Sequence, residues 1–129
     1  MNSVFSHIIE GKIPCHKIAE DDCFFSFLDI RPITAGHTLV IPKIAIDRFF
    51  DLDSDVLSAY LPFAQPIAKA IEAVVPCNRV GLMVAGLEVP HAHLHLVPIR
   101  SIDDLNFSNA GEASHESLKQ MATAIRAHL

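Results

Sequence analysis

VPHAHLHLVP, residues 89–98, places histidine at every second position with small or apolar residues between. Alternation of period two marks a β-strand, in which successive side chains point to opposite faces. His91, His93 and His95 therefore share one face, while Ala92, Leu94 and Leu96 point to the other, toward the core. At about 3.3 Å rise per residue, the outer two imidazoles stand roughly 13 Å apart along a flat strand. Metal–imidazole bonds are only ~2 Å long, so one ion does not take all three, although two of them with His37 or His7 make a workable set. The spacing suits an elongated anionic group lying along the strand, with the middle imidazole acting and its neighbours donating hydrogen bonds. Three readings stay open on these residues alone: histidines on a solvated strand face, a metal site, or nucleophilic and acid–base chemistry on a phosphate.

Working outward, RVGLMV (79–84) and HTLVIP (37–42) read as further strands, the second delivered by the loop DIRPITAG (29–36). CHKIAE (15–20) and CFFSFLD (23–29) flank Asp21 and Asp22, which predicts a hairpin. VFSHIIE (4–10) reads as a short helix closed by Gly11 and Pro14. From Asp53 the period becomes helical. Val56, Leu57, Tyr60, Phe63, Ala64, Ile67, Ala68, Ile71 and Val74 predict a long helix over 54–75, capped by Asp53 or Ser54. Pro62 and Pro66 are expected to kink or divide it. A closing helix starts near Ser114, with Leu118, Met121, Ala122, Ile125 and Leu129 on one stripe. Strands grouped around one long helix, without βαβ alternation, predict a single α+β domain over 1–129. It has an antiparallel sheet of about five strands, one long central helix and a C-terminal helix.

The composition narrows the partners. Half of the 129 residues are hydrophobic, 19% are charged, and the net charge is −5. With no Lys/Arg cluster the chain is a poor match for a nucleic-acid polymer, whose binding rests on counterion release. A single nucleotide is not excluded. No basic start followed by an apolar run opens the chain, and no apolar run reaches the ~20 residues of a membrane span. Cys15, Cys23 and Cys77 match no CxxC spacing, so reduced thiols buried as small hydrophobes in a cytoplasmic protein are expected.

The run H-A-H-L-H-L-V resembles the signature of the histidine triad (HIT) superfamily, His-φ-His-φ-His-φ-φ with φ hydrophobic. VFSHIIEGKIP, CFFSFLDIRPITAGHTLVIPK and PHAHLHLVP follow in that family's order over most of residues 4–98. The similarity is greatest to the Hint-type branch. It implies a HIT-like α+β homodimer, without a cofactor, that hydrolyses phosphoramidate and related conjugates of a purine nucleotide. It also implies that His93 attacks phosphorus and forms a covalent nucleotidyl-imidazole, with His91 and His95 as donors or proton shuttles and His37 close by. Neutral imidazole, with an ordinary pKa near ~6.5, is a good nucleophile at neutral pH.

By the same resemblance, Asp29 accepts the ribose hydroxyls, and Val4, Phe5, Ile8, Phe27, Leu28 and Ile30 wall the base. On pattern alone those six are ordinary core residues, and Asp29 equally caps the turn IRPI. A nucleotide-binding regulatory protein without turnover, or a diadenosine polyphosphate hydrolase, fits the same motifs.

Three departures stand out. Where many relatives carry CxxC and bind zinc, this chain has Ser3 and Ser6, so no metal is expected. The lead-in VGLMVAGLEVPH is short and lacks the family's phosphate-contacting asparagine. The usual Gly-Gln-hydroxyl is here Gly86-Leu87-Glu88, so backbone N–H groups around Gly86 are expected to contact phosphate. Glu88 then points to solvent, holds His95 protonated, or favours cationic leaving amines over polyphosphates, the last being the expectation. Finally, helix 54–75 is apolar over more than one stripe, with Leu61 and Ala70 off the main face. A two-fold dimer through this helix is the expectation.

Overall fold

Asp21 starts the sheet. Its Oδ1 accepts from the backbone N–H of Cys23 and of Phe24, each at 2.8 Å. That turn folds β1 (Lys17–Glu20) against β2 (Phe24–Leu28). The computed structural model describes residues 3–129, and three more strands follow: β3 (Thr38–Pro42), β4 (Arg79–Met83) and β5 (Leu94–Ile99). They join one five-stranded sheet in the order β1-β2-β3-β5-β4, with every pairing antiparallel. Helix α1 (Val4–Ile9) precedes the sheet, α2 (Ser54–Val74) fills the crossover from β3 to β4, and α3 (His115–Arg126) closes the chain. The fold is α+β, as expected. No described helix is long and apolar enough to cross a membrane.

Alternation along the strands builds two cores. Phe24, Leu28, Val40, Leu94 and Leu96 point to the face covered by α2 and α3. There they meet Tyr60, Ala64, Ile67 and Ile71, with Leu118, Ala122 and Ile125 behind. Phe25, Phe27, Leu39 and Ile41 point the other way and pack with Phe5 and Ile8 of α1. Strands β2 and β3 are thus buried on both faces, which is why they read as unbroken apolar runs. Each fully buried side chain of this size contributes about 1.5–3 kcal/mol.

Four expectations are corrected. Helix α2 runs unbroken through Pro62 and Pro66. Both prolines lie four residues apart on the exposed face, so the carbonyls that lose their N–H partners are hydrated instead of stranded. Ala70 is not off the main face: it is buried in the α2 core, whereas Leu61 is exposed. Leu129 lies beyond the end of α3 and is exposed. The cysteines are free but not buried, Cys23 being exposed and Cys15 and Cys77 half-buried.

Strand β5 also begins later than the histidine alternation suggests. Its register, Val40 opposite Leu94, would bring Pro42 opposite Ala92. Proline has no N–H to continue the ladder. The Ala92 N–H turns instead to the Ile46 carbonyl at 2.7 Å, and the His91 N–H bonds the Val89 carbonyl at 2.8 Å. His91 and His93 therefore stand on a bent approach to β5, yet His93 and His95 still face the α1 side.

Gly36 sets the entry to β3, and with it His37. Its φ is +97°, and a Cβ there would meet Val75 Cγ2 at 2.8 Å and Pro98 Cγ at 3.2 Å. Gly36→Ala combines left-handed strain with a clash against the end of α2, an expected loss of about 3 kcal/mol. Urea unfolding checks it; a midpoint equal to wild type would contradict this packing.

Candidate active site

Four histidines converge on the sheet face that carries α1, and all are buried: His37 at 1%, His91 at 0%, His93 and His95 at 4% exposure. That alone removes the reading of histidines on a solvated face. The hydrogen bonds then fix where each ring carries its proton, because a carbonyl only accepts and a backbone N–H only donates.

His93 Nδ1 lies 2.7 Å from the carbonyl of His91, so Nδ1 carries the hydrogen and Nε2 is left with its lone pair. His91 Nε2 lies 2.7 Å from the Pro42 carbonyl, so its hydrogen is on Nε2. His91 Nδ1 is then an acceptor, and Ser3 Oγ is its neighbour at 3.3 Å. The Ile33 N–H donates to His37 Nδ1 at 3.0 Å, which puts the His37 hydrogen on Nε2. That hydrogen points to His95 Nδ1, 2.8 Å away. His95 in turn carries its hydrogen on Nε2. Neither His93 Nε2 nor His95 Nε2 has a protein partner, and no fully buried side-chain nitrogen or oxygen lacks one among the described residues. Both atoms therefore open to solvent: one bare nucleophilic nitrogen and, on the next ring, one N–H donor. The two ring centroids are 5.0 Å apart.

Burial keeps His37, His91 and His95 neutral. It pushes His95 down to about 3, with His37 and His93 adding to the effect. It also lowers His91 and His37, against a raising influence from the Pro42 carbonyl and from Asp29 respectively. Neutral His95 therefore offers a hydrogen bond, not a proton, at physiological pH.

Asp29 Oδ1 accepts from the Arg31 N–H at 2.9 Å, capping the turn, and Oδ2 lies 3.7 Å from His37 Nε2. Carboxylate and two imidazoles thus bring ligand atoms within 4.8 Å of one another. The donor set does not fit a metal ion as folded. A neutral imidazole ligating through Nε2 must carry its hydrogen on Nδ1, and in His37 that position faces the Ile33 N–H.

Two clefts lie at the site, one lined by His93 and the other by Asp29. One, of about 620 Å³, reaches His93 between the segment Arg48–Asp51 and the loop at Gly86 and Leu87. The other, of about 240 Å³, is lined by Asp29, Ile30, Arg31, Glu88, Phe107 and Ala110. Phe5 stands edge-on to His93 at 5.2 Å and to Phe27 at 5.6 Å, and Ile8 joins the same cluster. Val4 and Ile30 are exposed. Leu28 is a correction: adjacent strand residues point to opposite faces, so with Phe27 toward the histidines, Leu28 belongs to the α2 core.

Two contributors escaped the sequence. Phe107, edge-on to His95 at 5.1 Å, opens a 3-10 helix of three residues (Phe107–Asn109), too short to show a period that would flag it. Ser3 caps α1, its Oγ accepting from the Ser6 N–H; a hydroxyl one residue before an apolar helical run is the signal that would have found the cap.

The chain is similar to known proteins over most of its length. The HIT domain model matches residues 10–102. An adenosine 5′-monophosphoramidase of Schizosaccharomyces pombe is 36% identical over 102 residues, covering 76% of this chain and 74% of its own. An adenylylsulfatase of Arabidopsis thaliana is 31% identical over 137 residues, covering 98% and 68%. Among solved structures, a Hit-like protein from Bartonella henselae, described as involved in cell-cycle regulation, superposes with a TM-score of 0.87 at 32% identity, covering 99% of this chain and 96% of that one.

Proposed function

The chain belongs to the HIT domain family, and from that premise we propose that it is a nucleotide-binding hydrolase that cleaves nucleoside 5′-monophosphate conjugates through a covalent bond between His93 Nε2 and phosphorus. The observation that carries this is the locked tautomer of His93. Its Nδ1–H is held by the carbonyl of His91, which leaves Nε2 bare at the mouth of a cleft. Relatives with phosphoramidase and adenylylsulfatase activity support the substrate class.

In the first step His93 Nε2 bonds to the α-phosphorus, the P–N or P–O bond breaks, and the leaving group takes the electron pair and a proton from water. The imidazolium that forms keeps its Nδ1–H on the His91 carbonyl, which stabilises the new positive charge. His95 donates its Nε2–H to a non-bridging oxygen, held in that tautomer by His37. In the second step water adds to phosphorus and gives a proton to the hydroxide left by the first step, the P–Nε2 bond breaks with its electron pair returning to Nε2, and His93 is neutral again. Asp29 Oδ2 accepts from the ribose, and Phe5, Ile8 and Phe27 offer an apolar wall to a purine. The chemistry draws on neither a metal nor a cofactor.

Turnover of an adenosine phosphoramidate by the purified protein, with AMP binding measured in parallel, tests the reading. Binding without turnover favours a regulatory nucleotide-binding protein instead. Glu88 refines the substrate class. It shares the cleft of Asp29, and a second carboxylate there attracts a leaving ammonium and repels further phosphates. Glu88→Ser should raise the kcat/KM on a dinucleoside polyphosphate relative to the phosphoramidate by about threefold, the scale of a screened surface charge. An unchanged ratio removes Glu88 from specificity.

The same reading includes a two-fold dimer. Strand β4 is an open edge of the sheet, and its Leu82, with Val84 beyond it, is exposed beside Leu61 of α2. A groove of about 380 Å³ lined by Leu61, Ala68 and Leu82 continues that surface. A second copy covers such an edge by pairing the same strand with itself. Sedimentation at micromolar concentration should give a dimer, and a stable monomer would sink this part.

A further inference from the structure

We propose that Ser3 is a positioning residue for catalysis, acting through His91 to hold the nucleophile His93 in its attacking tautomer and orientation. The proposal rests on the functional reading above for what His93 does, but its geometry stands independently. Ser3 Oγ has two neighbours, each at 3.3 Å: the Ser6 N–H, which it accepts, and His91 Nδ1. Because the Pro42 carbonyl already fixes the His91 hydrogen on Nε2, Nδ1 is bare and the serine hydroxyl must donate to it. His91 is fully enclosed. Without that donor, its Nδ1 would be a buried acceptor left without a partner, which the fold avoids throughout the described residues.

The ring of His91 is therefore held at both ends, by the last residue of β3 and by the residue that opens α1. Its backbone carbonyl is the group that takes the His93 Nδ1–H. A ring free to tilt or to move its proton carries that carbonyl with it, and His93 loses the bond that keeps Nε2 bare and aimed. Phe5, two positions after Ser3, reinforces the coupling by standing edge-on to both rings, at 6.0 Å from His91 and 5.2 Å from His93. The start of α1 is thus fastened to the nucleophile as well as to the apolar wall.

Three variants separate this from mere helix capping. Ser3→Ala removes cap and donor together. Ser3→Thr keeps both. Ser3→Asp keeps the cap, since a carboxylate accepts from the Ser6 N–H, but it cannot donate, and it favours a doubly protonated His91. With adenosine phosphoramidate as substrate, Ser3→Ala should lose about tenfold or more in kcat with KM changed less than about threefold, because misalignment of a nucleophile acts on the chemical step. Ser3→Thr should regain most of that loss. Ser3→Asp should keep α1 capped yet share the kcat defect of Ser3→Ala.

Nitrogen-15 spectra of the histidine rings give the readout that capping alone would not move. Wild-type His91 should be neutral with its hydrogen on Nε2, Ser3→Ala a mixture of tautomers, and Ser3→Asp doubly protonated. Ser3→Asp with wild-type kcat, or wild-type His91 with its hydrogen on Nδ1, overturns the proposal. If Ser3→Ala does not fold, the Thr and Asp variants decide between the two outcomes. If wild type turns over no nucleotide conjugate, the functional reading fails, while the spectra still decide whether Ser3 sets the state of His91.

Discussion

Substitution of His93 by alanine is expected to lower kcat/KM on a nucleotide conjugate by roughly 10⁴-fold, about 5.5 kcal/mol of transition-state stabilisation. The size follows from the geometry. Among the four clustered histidines, His93 alone exposes a bare nitrogen: the free nitrogen of His95 carries a hydrogen, and both nitrogens of His37 and of His91 are occupied by partners. No neighbour can replace it as nucleophile without breaking a hydrogen bond inside the core. Nucleotide binding should survive, since Asp29, Phe5 and Phe27 are untouched. During turnover an acid-labile nucleotidyl label should accumulate on wild type and be absent from His93→Ala. Label on the variant would mean that another residue attacks phosphorus.

The second large effect is on stability in acid. Burial favours neutral imidazole, so the folded-state pKa of His95, at about 3, lies far below the ordinary value near ~6.5. Above pH ~6.5 both folded and unfolded chains hold the neutral ring, and the native state keeps its full stability. As pH falls below that, the unfolded chain takes up a proton that the folded one refuses. Stability then drops by about 1.4 kcal/mol per pH unit for each such histidine until its folded pKa is reached. For His95 alone the loss between pH 6.5 and 4.5 is on the order of 3 kcal/mol, and His37 and His91, shifted in the same direction, add to it. Urea unfolding across that range measures the slope. Replacing His95 by asparagine, which does not titrate, should flatten it. A slope equal to that of the variant would show that His95 binds its proton as readily folded as unfolded.

How much of this was legible in the sequence follows the reach of each interaction. Period-two alternation correctly sent Ala92, Leu94 and Leu96 to the core and the histidines to the other face, because that rule is local and steric. The hairpin at Asp21 and the starts of α2 near Asp53 and of α3 near Ser114 were legible for the same reason. Leu28 was misassigned because a resemblance transfers a list of positions, whereas the pleat forbids two adjacent residues from sharing a wall. The effect of Pro62 and Pro66 was overstated because a missing backbone hydrogen bond costs little where water replaces it. Ala70 depended on the width of the face that α2 buries, which no helical period specifies. The proton positions were out of reach altogether. They are set by the carbonyls of His91 and Pro42 and the N–H of Ile33, whose approach to each ring depends on the folded path and not on the spacing of the histidines.

The sheet order has a consequence for how the site comes into being. Strand β3 pairs with β5 across the whole of α2 and β4, so the His37–His95 bond joins residues 58 apart and the Ser3–His91 contact joins residues 88 apart. Closing loops of that length is the slow, entropically costly part of building a chain with high contact order. The β1–β2 hairpin can form early, yet it contributes no histidine. A chain that has formed only that hairpin has secondary structure and no assembled site, so the site exists only once the long-range pairing of β3 with β5 is closed.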